Sequence, residues 1–196
     1  MTAELDVAAD TRAPAIDEGL EALAARLARI TVLVARGPSG HGSGVVWRRD
    51  GLIVTNAHVA RGPATVILPD GRPLAARLVA RDPRRDLAAL RVAADGLDVA
   101  EPAGSEGLAP GALVASLGHP WGIRDAISVG ILHELAAAGA RGGLLRAQLR
   151  LAPGNSGGPL ADARGRVIGI NAMIAEGLAL AIPTRTVERF LADAEL

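Results

Sequence analysis

A loop of glycines and prolines contains the serine best suited to act as a nucleophile. The loop reads Ala152-Pro-Gly-Asn-Ser-Gly-Gly-Pro-Leu160, with Ser156 at its centre. Its glycines allow the backbone to turn sharply and bring N–H groups close to a ligand, while its prolines fix the entry and the exit. Acyl transfer needs this arrangement, because the nucleophile must reach a carbonyl carbon while donors about 3 Å away receive the developing oxyanion. Taken alone, the loop is also typical of a turn in a β protein.

Two further residues could complete this chemistry. His58 lies in Thr55-Asn-Ala-His-Val59, at the end of a predicted strand over residues 52–55, and Asp86 directly precedes an alternating apolar segment. Alone, His58 fits a packed core histidine and Asp86 a solvated acid at the start of a strand. With Ser156 they supply a base, an orienting acid and a nucleophile. A serine hydroxyl needs an imidazole to take its proton, and that imidazole needs an acid to fix its tautomer.

The order of these residues and the pattern around them indicate one class of fold. His, Asp, Ser is the chain order of chymotrypsin, whereas α/β-hydrolases have Ser, Asp, His and subtilisins have Asp, His, Ser. From residue 31 to about 182, short apolar runs alternate with turn signals. Roughly a dozen strands at this spacing predict an all-β sandwich or a pair of barrels. The order of the three residues favours two packed antiparallel barrels, the fold of chymotrypsin-type proteases.

Two helices are predicted to flank the strands. Apolar residues recur at steps of three and four over residues 16–30, which is the period of an amphipathic helix. A second helix is predicted after Pro183, over residues 184–196, with Thr184 as its candidate N-cap. Residues 1–15 have no such period and are predicted to form a loose arm.

The predicted organisation is therefore a single unit made of two halves. Residues 16–100 comprise the N-terminal helix and the first barrel, with His58 and Asp86. Residues 101–196 comprise a connector, the second barrel with Ser156, and the C-terminal helix.

Composition disfavours several other functional classes. The 196 residues include 21 basic and 21 acidic groups, so the net charge lacks the basic excess typical of proteins that bind nucleic acid or anionic membranes. The apolar runs are too short for a membrane span, and the acidic first 30 residues do not resemble a signal peptide. A cytoplasmic location is expected, or one outside the cytoplasm if a leader has been removed. The absence of cysteine excludes disulfides, a thiolate nucleophile and a Cys-based zinc site.

Eight motifs in order resemble the HtrA/Deg branch of the trypsin-like serine proteases, from about residue 31 to 191. His58 and Asp86 are 28 positions apart, and Asp86 and Ser156 are 70 apart. The motifs are Gly42-Ser-Gly-Val-Val-Trp47, Thr55-Asn-Ala-His-Val59, Asp86-Leu-Ala-Ala-Leu90, Leu117-Gly-His-Pro-Trp-Gly122, Ser128-Val-Gly-Ile131, Pro153-Gly-Asn-Ser-Gly-Gly-Pro-Leu160, Gly165-Arg-Val-Ile-Gly-Ile-Asn171 and Leu180-Ala-Ile-Pro183.

The resemblance implies a serine endopeptidase of the chymotrypsin fold that acts on unfolded or flexible polypeptides and needs no cofactor or metal. His58 would be the general base, Asp86 its orienting acid and Ser156 the nucleophile. The main-chain N–H groups of Gly154 and Ser156 would form the oxyanion hole. Asn155 stands where zymogen-forming trypsins have an acid that pairs with a freed N-terminus, so activation of that kind is not expected.

The sequence departs from the family pattern in three places. Family members usually continue into PDZ domains, whereas this chain ends soon after Leu180-Ala-Ile-Pro183, so a protease domain without a PDZ domain is expected. Many members trimerise through N-terminal aromatic residues, and residues 1–46 contain none, which leaves a monomer or a trimer open. Ala147-Gln-Leu-Arg150 replaces the Thr-Asp-Ala-Ala-like run that commonly precedes the serine loop.

The last departure bears on the residue preferred before the cut. In chymotrypsin-type folds the segment before the serine loop forms one wall of the specificity pocket, and a returning strand forms another. Leu151, Leu178 and Leu180 would make this pocket apolar and favour small or medium aliphatic residues. If Arg150 pointed inward, its charge would favour Asp or Glu instead, whereas an outward Arg150 would be an ordinary solvated side chain.

The sequence fits several other functional classes less well than a serine endopeptidase. The glycines at 40–44 lie between predicted strands and not at the start of a helix, which disfavours a dinucleotide site. The four histidines lack the His-Glu-x-x-His spacing of a zinc site. A non-enzymatic alternative is an inert protease-like module that binds peptides as a chaperone or scaffold. An esterase with the same three residues would differ only in its acyl pocket.

Overall fold

A computed structural model describes residues 13–37, 40–104, 108–135 and 143–196. Helices α1 and α2 lie at the two ends of this region, and twelve strands lie between them. The helices are α1 Ala13–Ile30 and α2 Thr184–Asp193. The strands are β1 Thr31–Arg36, β2 Gly40–Arg48, β3 Leu52–Thr55, β4 Ala64–Ile67, β5 Pro73–Asp82, β6 Leu87–Arg91, β7 Leu113–Gly118, β8 Ala126–Leu135, β9 Leu145–Gln148, β10 Pro159–Asp162, β11 Val167–Ala175 and β12 Leu178–Pro183.

The strands form two closed antiparallel barrels of six strands each. The first has the order β1-β2-β3-β6-β5-β4, and the second has the order β10-β11-β12-β9-β8-β7. Closure leaves no unpaired sheet edge, and it directs alternate side chains of each strand into the barrel. The predicted all-β, two-barrel fold is confirmed.

A glycine makes the tight β2–β3 hairpin possible. Gly51 has φ +82°, a left-handed conformation that favours glycine. A Cβ at this position would also collide with the carbonyl oxygen of Val92. The hairpin pairs Val45 with Val54 and so sets the register of β3, the strand that ends just before His58.

One hydrophobic core joins the barrels to each other and to both helices. Helix α1 contributes Leu23, Leu27 and Ile30, which lie on one helical face and are all buried. Helix α2 contributes Val187 and Phe190 from its own buried face. Side chains of both barrels belong to the same cluster, including Leu52, Leu87, Leu117 and Ile170. This shared core fixes the first barrel relative to the second.

The helix ends differ from those predicted. Residues 1–12 of the predicted arm lie outside the described residues, and helix α1 begins at Ala13, so residues 13–15 are helical. Thr184 is not the N-cap of α2; Pro183 occupies that position. The Thr184 hydroxyl instead donates to the carbonyl of Val167, at 2.9 Å. A buried hydroxyl needs a partner, and here the nearby carbonyl of β11 provides it.

The connector crosses from one barrel to the other through backbone hydrogen bonds. The Ala100 N–H donates to the Val46 carbonyl in the first barrel, at 2.9 Å. The Val167 N–H of the second barrel donates to the carbonyl of Glu101, at 2.8 Å. The connector is thus tied to both barrels. Neither of the helices in the described part of the chain is long and apolar enough to cross a membrane.

We expect Leu27→Ala to lower the free energy of unfolding by about 2–5 kcal/mol, because it removes a fully buried side chain from the shared core. The measurement is urea unfolding followed by circular dichroism. Leu78→Ala is the control, since Leu78 is 40% exposed and should cost far less. Equal losses for the two variants would contradict the role given to the shared core.

Candidate active site

His58 and Asp86 come together because their strands are neighbours in the first barrel. His58 follows β3 and Asp86 immediately precedes β6, and these antiparallel strands pair Thr55 with Ala88. The end of β3 therefore lies beside the start of β6. His58 Nδ1 lies 2.8 Å from Asp86 Oδ2 and 3.1 Å from Oδ1.

The backbone around Asp86 holds its carboxylate in place. The side-chain amide of Asn56 and the N–H of Ala57 both donate to the Asp86 carbonyl, at 3.0 and 3.1 Å. The His58 N–H donates to Asp86 Oδ1, at 3.0 Å. These bonds accompany an unusual conformation, since Asp86 has φ +58°. Such strain persists only where surrounding contacts impose it, and it is common at functional sites.

This pairing also assigns the roles of the imidazole nitrogens. An ionised carboxylate can only accept hydrogen bonds, so Nδ1 of His58 carries the proton that it shares with Asp86. In the neutral ring Nε2 is then left with a free lone pair. The His58 side chain is 36% exposed, whereas that of Asp86 is 13% exposed. The imidazole can therefore meet a substrate while the acid stays covered.

The serine loop lies in the second barrel, between β9 and β10. It is attached to β11 by two backbone bonds, from the Gly157 N–H to the Asn171 carbonyl and from the Asn171 N–H to the Gly158 carbonyl, at 2.8 and 2.9 Å. Beyond Asn171 the pairing of β11 with β12 shifts register, and Ala172 has no partner in the ladder. The Ala172 carbonyl accepts the hydrogen bond of the Ser156 hydroxyl, at 3.2 Å.

The peptide that precedes Gly154 is held by the turn after β7. The Pro153 carbonyl accepts the Trp121 N–H, at 3.0 Å. In a planar trans peptide the C=O and the N–H point in opposite directions, so the Gly154 N–H points away from this turn. Gly154 has φ +110°, and a Cβ there would lie 2.8 Å from Cα of Pro120. Only glycine fits this close approach.

The peptide before Ser156 is fixed in a similar way. The Asn155 carbonyl accepts the Gly158 N–H, at 3.0 Å. Because the Ser156 N–H belongs to the same trans peptide, it points away from Gly158. Among the described residues, neither the Gly154 nor the Ser156 N–H donates to a protein acceptor. The Asn155 side chain is buried, and its oxygen accepts the Ala152 N–H, at 3.2 Å. Two backbone donors are thus free to bind a negative charge beside the serine.

A cavity of about 240 Å³ opens beside Ser156. Its lining is mostly apolar and comes from the segment before the serine loop and from β11. The lining residues are Leu151, Ala152, Pro153, Asn155, Ser156, Asn171, Ala172, Met173 and Ile174. Ser156 itself therefore forms part of the wall of this cavity.

The structure separates the residues predicted to form the specificity pocket. Leu151 lines this cavity, whereas Leu178 and Leu180 do not. The second wall is β11, because that strand is bonded directly to the serine loop, whereas β12 lies one strand further from it. Leu180 is buried, 8% exposed. Arg150 is exposed and lines neighbouring cavities, next to Ser128.

His119 is a buried histidine in the turn that holds the serine loop. Its side chain is 1% exposed, and Nδ1 accepts the Asp125 N–H, at 3.1 Å. Burial lowers the pKa of His119 to about 4, because the charged form would lose its hydration. His119 is therefore neutral near pH 7. Within the described ranges, no group of three or more His, Cys, Asp or Glu side chains is placed to hold a metal ion.

The paired barrels and the serine loop define a protein of the chymotrypsin-type peptidase class. A model of the trypsin-like peptidase domain matches residues 42–170. Serine protease HTRA1 of Xenopus tropicalis is 34% identical over 80% of this chain and 36% of its own length. Protease Do-like 1, chloroplastic, of Arabidopsis thaliana is 36% identical over 84% of this chain and 42% of its own length.

Solved structures agree with the sequence comparison. The HtrA-type protease AlgW with tripeptide superposes with a TM-score of 0.81 and 30% identity, covering 88% of this chain and 62% of that chain. The same protease with decapeptide has a TM-score of 0.78 and 27% identity. The chain belongs to the HtrA-type family of trypsin-like peptidases, which confirms the resemblance seen in its motifs. It spans between 32% and 42% of the length of the curated relatives described by these comparisons.

We expect the stability of the protein to fall between about pH 6.5 and pH 4 because of His119. The unfolded histidine titrates near 6.5 and the folded one at about 4, so in this window the unfolded chain binds more protons and acid favours unfolding. The part of the free energy of unfolding that depends on neutral His119 is fully present above pH 6.5. About 3 kcal/mol of it is lost by pH 4.

His119→Asn is the comparison for this prediction, since the Asn oxygen can still accept the Asp125 N–H but does not titrate. Urea unfolding at several pH values should show a steeper acid loss in the unsubstituted protein than in the variant. Parallel stability curves for the two proteins would contradict a buried neutral His119.

Proposed function

We propose that the protein is a serine endopeptidase that hydrolyses unfolded or flexible polypeptide segments through an acyl-enzyme. Ser156 is the nucleophile, His58 the general base and Asp86 the acid that orients His58. The observation that carries this proposal is the 2.8 Å contact between His58 Nδ1 and Asp86 Oδ2, together with a serine loop whose two N–H groups are free. Family membership supports the same chemistry.

The first half of the reaction forms the acyl-enzyme. Nε2 of His58 takes the hydroxyl proton as the Ser156 oxygen attacks the scissile carbonyl carbon. The carbonyl oxygen becomes an oxyanion, which the N–H groups of Gly154 and Ser156 stabilise. The imidazolium formed on His58 is stabilised by Asp86, and its Nε2 proton passes to the leaving amine as the C–N bond breaks. Water then attacks the ester in the same way and releases the acid product.

The Ser156 hydroxyl must turn before it can react. Its present bond to the Ala172 carbonyl is long, at 3.2 Å, and rotation about a single side-chain torsion redirects the oxygen. Catalytic hydrogen bonds are often loose in the free enzyme and tighten when substrate binds. The bond to Ala172 is therefore compatible with transfer of the proton to His58.

The cavity beside Ser156 supports a preference for aliphatic residues before the cut. Leu151, Met173 and Ile174 present apolar surface there, and its volume of about 240 Å³ is small. No Lys, Arg, Asp or Glu among the described residues lines this cavity, so a charged side chain that enters it would lack a partner there, which is costly. Polypeptide substrates are further supported by the tripeptide and decapeptide named with the related AlgW structures.

We expect Ser156→Ala to abolish both hydrolysis of an unfolded protein and labelling by an organophosphate, because the attacking oxygen is gone. His58→Ala should reduce turnover by about 10⁴- to 10⁶-fold, because the hydroxyl loses its base. Thr65→Ala, at an exposed position of β4, is the control and should match the unsubstituted chain. Labelling that survives in Ser156→Ala would refute the assignment, and peptide binding without turnover in the unsubstituted chain would support the inert module.

We expect a peptide library to show Val, Ala or Leu as the residue before most cuts, because the cavity at Ser156 is small and apolar. Arg150→Ala should leave this preference unchanged, since Arg150 does not line that cavity. The measurement is mass-spectrometric identification of the new termini. A preference for Asp or Glu at this position, lost in Arg150→Ala, would overturn the prediction.

A further inference from the structure

A buried serine of the first barrel contacts the nucleophile loop of the second. Ser43 lies on β2, in the middle of the Gly42-Ser-Gly motif, and is 0% exposed. Its hydroxyl lies 2.7 Å from the carbonyl oxygen of Gly154, and its N–H donates to the carbonyl of Ser156, at 2.8 Å. Ser43 therefore contacts the residues on both sides of Asn155.

The direction of the Ser43 hydroxyl bond is determined by its neighbours. The N–H of His119 donates to Ser43 Oγ, at 3.0 Å, so the oxygen acts as an acceptor there. A carbonyl oxygen can only accept, so the single hydroxyl proton is donated to Gly154. The Ser43 hydroxyl therefore accepts from His119 and donates to Gly154, and both of these hydrogen bonds are buried.

Four successive carbonyls of the loop, from Pro153 to Ser156, each accept a hydrogen bond. Three of the donors are backbone N–H groups, which belong to Trp121, Gly158 and Ser43 itself. The fourth, the Ser43 hydroxyl, is the only side-chain donor of the set. Of these four bonds to the loop carbonyls, it is therefore the one that a side-chain substitution can remove without altering the main chain.

The Gly154 carbonyl belongs to the peptide that separates the two free N–H groups. Its orientation sets the angle between the N–H of Gly154 and the N–H of Ser156. The N–H of the same peptide belongs to Asn155 and donates to the Ala152 carbonyl, at 3.0 Å, so the Ser43 hydroxyl is one of two bonds that fix this peptide plane. A buried carbonyl left without a donor is costly, and because glycine has the least restricted backbone, the plane can tilt about the remaining bond to relieve that cost. The direction of the Gly154 N–H relative to the Ser156 N–H would then change.

Ser43 also connects this loop to the strand that carries the base. The Thr55 hydroxyl donates to the Ser43 carbonyl, at 2.6 Å, and Thr55 is the last residue of β3, three positions before His58. The same residue thus contacts the chain beside the nucleophile in one barrel and the chain beside the base in the other.

We propose that Ser43 is a positioning residue that orients the Gly154 peptide, and through it the oxyanion-binding N–H groups, by donating its hydroxyl proton to the Gly154 carbonyl. This inference rests on the proposed peptidase function. It predicts that the hydroxyl acts on the transition state, where the oxyanion exists, and has little effect on the binding of uncleaved peptide.

The test is steady-state hydrolysis of a peptide substrate by Ser43→Ala, with Thr184→Val as the matched control. Each variant removes one buried hydroxyl that donates to a backbone carbonyl, but the acceptor of the Thr184 hydroxyl, Val167, is bonded through its backbone to Glu101 and Ala103 and not to the serine loop. We expect kcat to fall by about 10²-fold in Ser43→Ala with KM changed by less than about 3-fold, because misplaced donors lose transition-state stabilisation. Thr184→Val should keep kcat within about 2-fold.

A second measurement separates positioning from a general loss of structure. A peptide boronate forms a tetrahedral adduct with the serine, and one of its oxygens occupies the oxyanion position. The affinity for the boronate should fall in Ser43→Ala by about the same factor as kcat/KM. The affinity for a substrate-like peptide is measured in the Ser156→Ala background, where no cleavage occurs, and adding Ser43→Ala there should leave it unchanged. If Ser43→Ala fails to fold, Ser43→Cys retains a side chain of similar shape with a weaker donor and should show a smaller loss in the same direction.

The outcomes are distinct. Peptide hydrolysis in the unsubstituted chain together with unchanged kcat and boronate affinity in Ser43→Ala or Ser43→Cys would overturn this inference alone. An equal loss of kcat in Ser43→Ala and Thr184→Val would also overturn it. Absence of both hydrolysis and boronate binding in the unsubstituted chain would refute the proposed function, and this inference with it.

Discussion

The hydrophobic core shared by the two barrels is the constraint on which the site depends. His58 and Asp86 belong to the first barrel, whereas Ser156 belongs to the second, so no local structure can set their separation. Burial of apolar surface contributes a large favourable free energy, but it does not depend on direction. It brings the barrels together through side chains such as Leu27 and Phe190, and it leaves the final alignment to directional bonds across the interface.

Hydrogen bonds across the interface supply that alignment, and most of them involve the main chain. The hydroxyl and N–H of Ser43 on β2 donate across the interface to the serine loop, and the His119 N–H of the second barrel donates to Ser43. Within the second barrel, the Trp121 N–H donates to the Pro153 carbonyl of the loop. Glycine at position 154 is required because the neighbouring turn approaches too closely for a Cβ. The glycines of the serine-loop motif therefore reflect the geometry of the backbone as much as the presence of Ser156.

The elements that hold the candidate residues are easier to predict from the sequence than the walls of the cavity. Alternation of apolar residues predicts the strands, and the motifs around His58, Asp86 and Ser156 place each residue at a strand end or in a loop. The sequence does not decide between β11 and β12 as the wall of the cavity beside Ser156, because that choice depends on which strand bonds to the serine loop. The sequence pattern predicts Thr184 as a helix cap for a similar reason. The carbonyl that accepts its hydroxyl proton belongs to Val167, on another element 17 positions earlier in the chain.

The irregularity at Ala172 affects both the Ser156 hydroxyl and the cavity beside it. A regular ladder would give Ala172 a partner on β12, but the shift of register leaves its carbonyl available to the Ser156 hydroxyl. The same strand continues through Met173 and Ile174 into the wall of the cavity. Bulges redirect a strand and end its pairing locally. A single irregular residue in β11 therefore determines both where the free serine hydroxyl binds and how the cavity beside it is shaped.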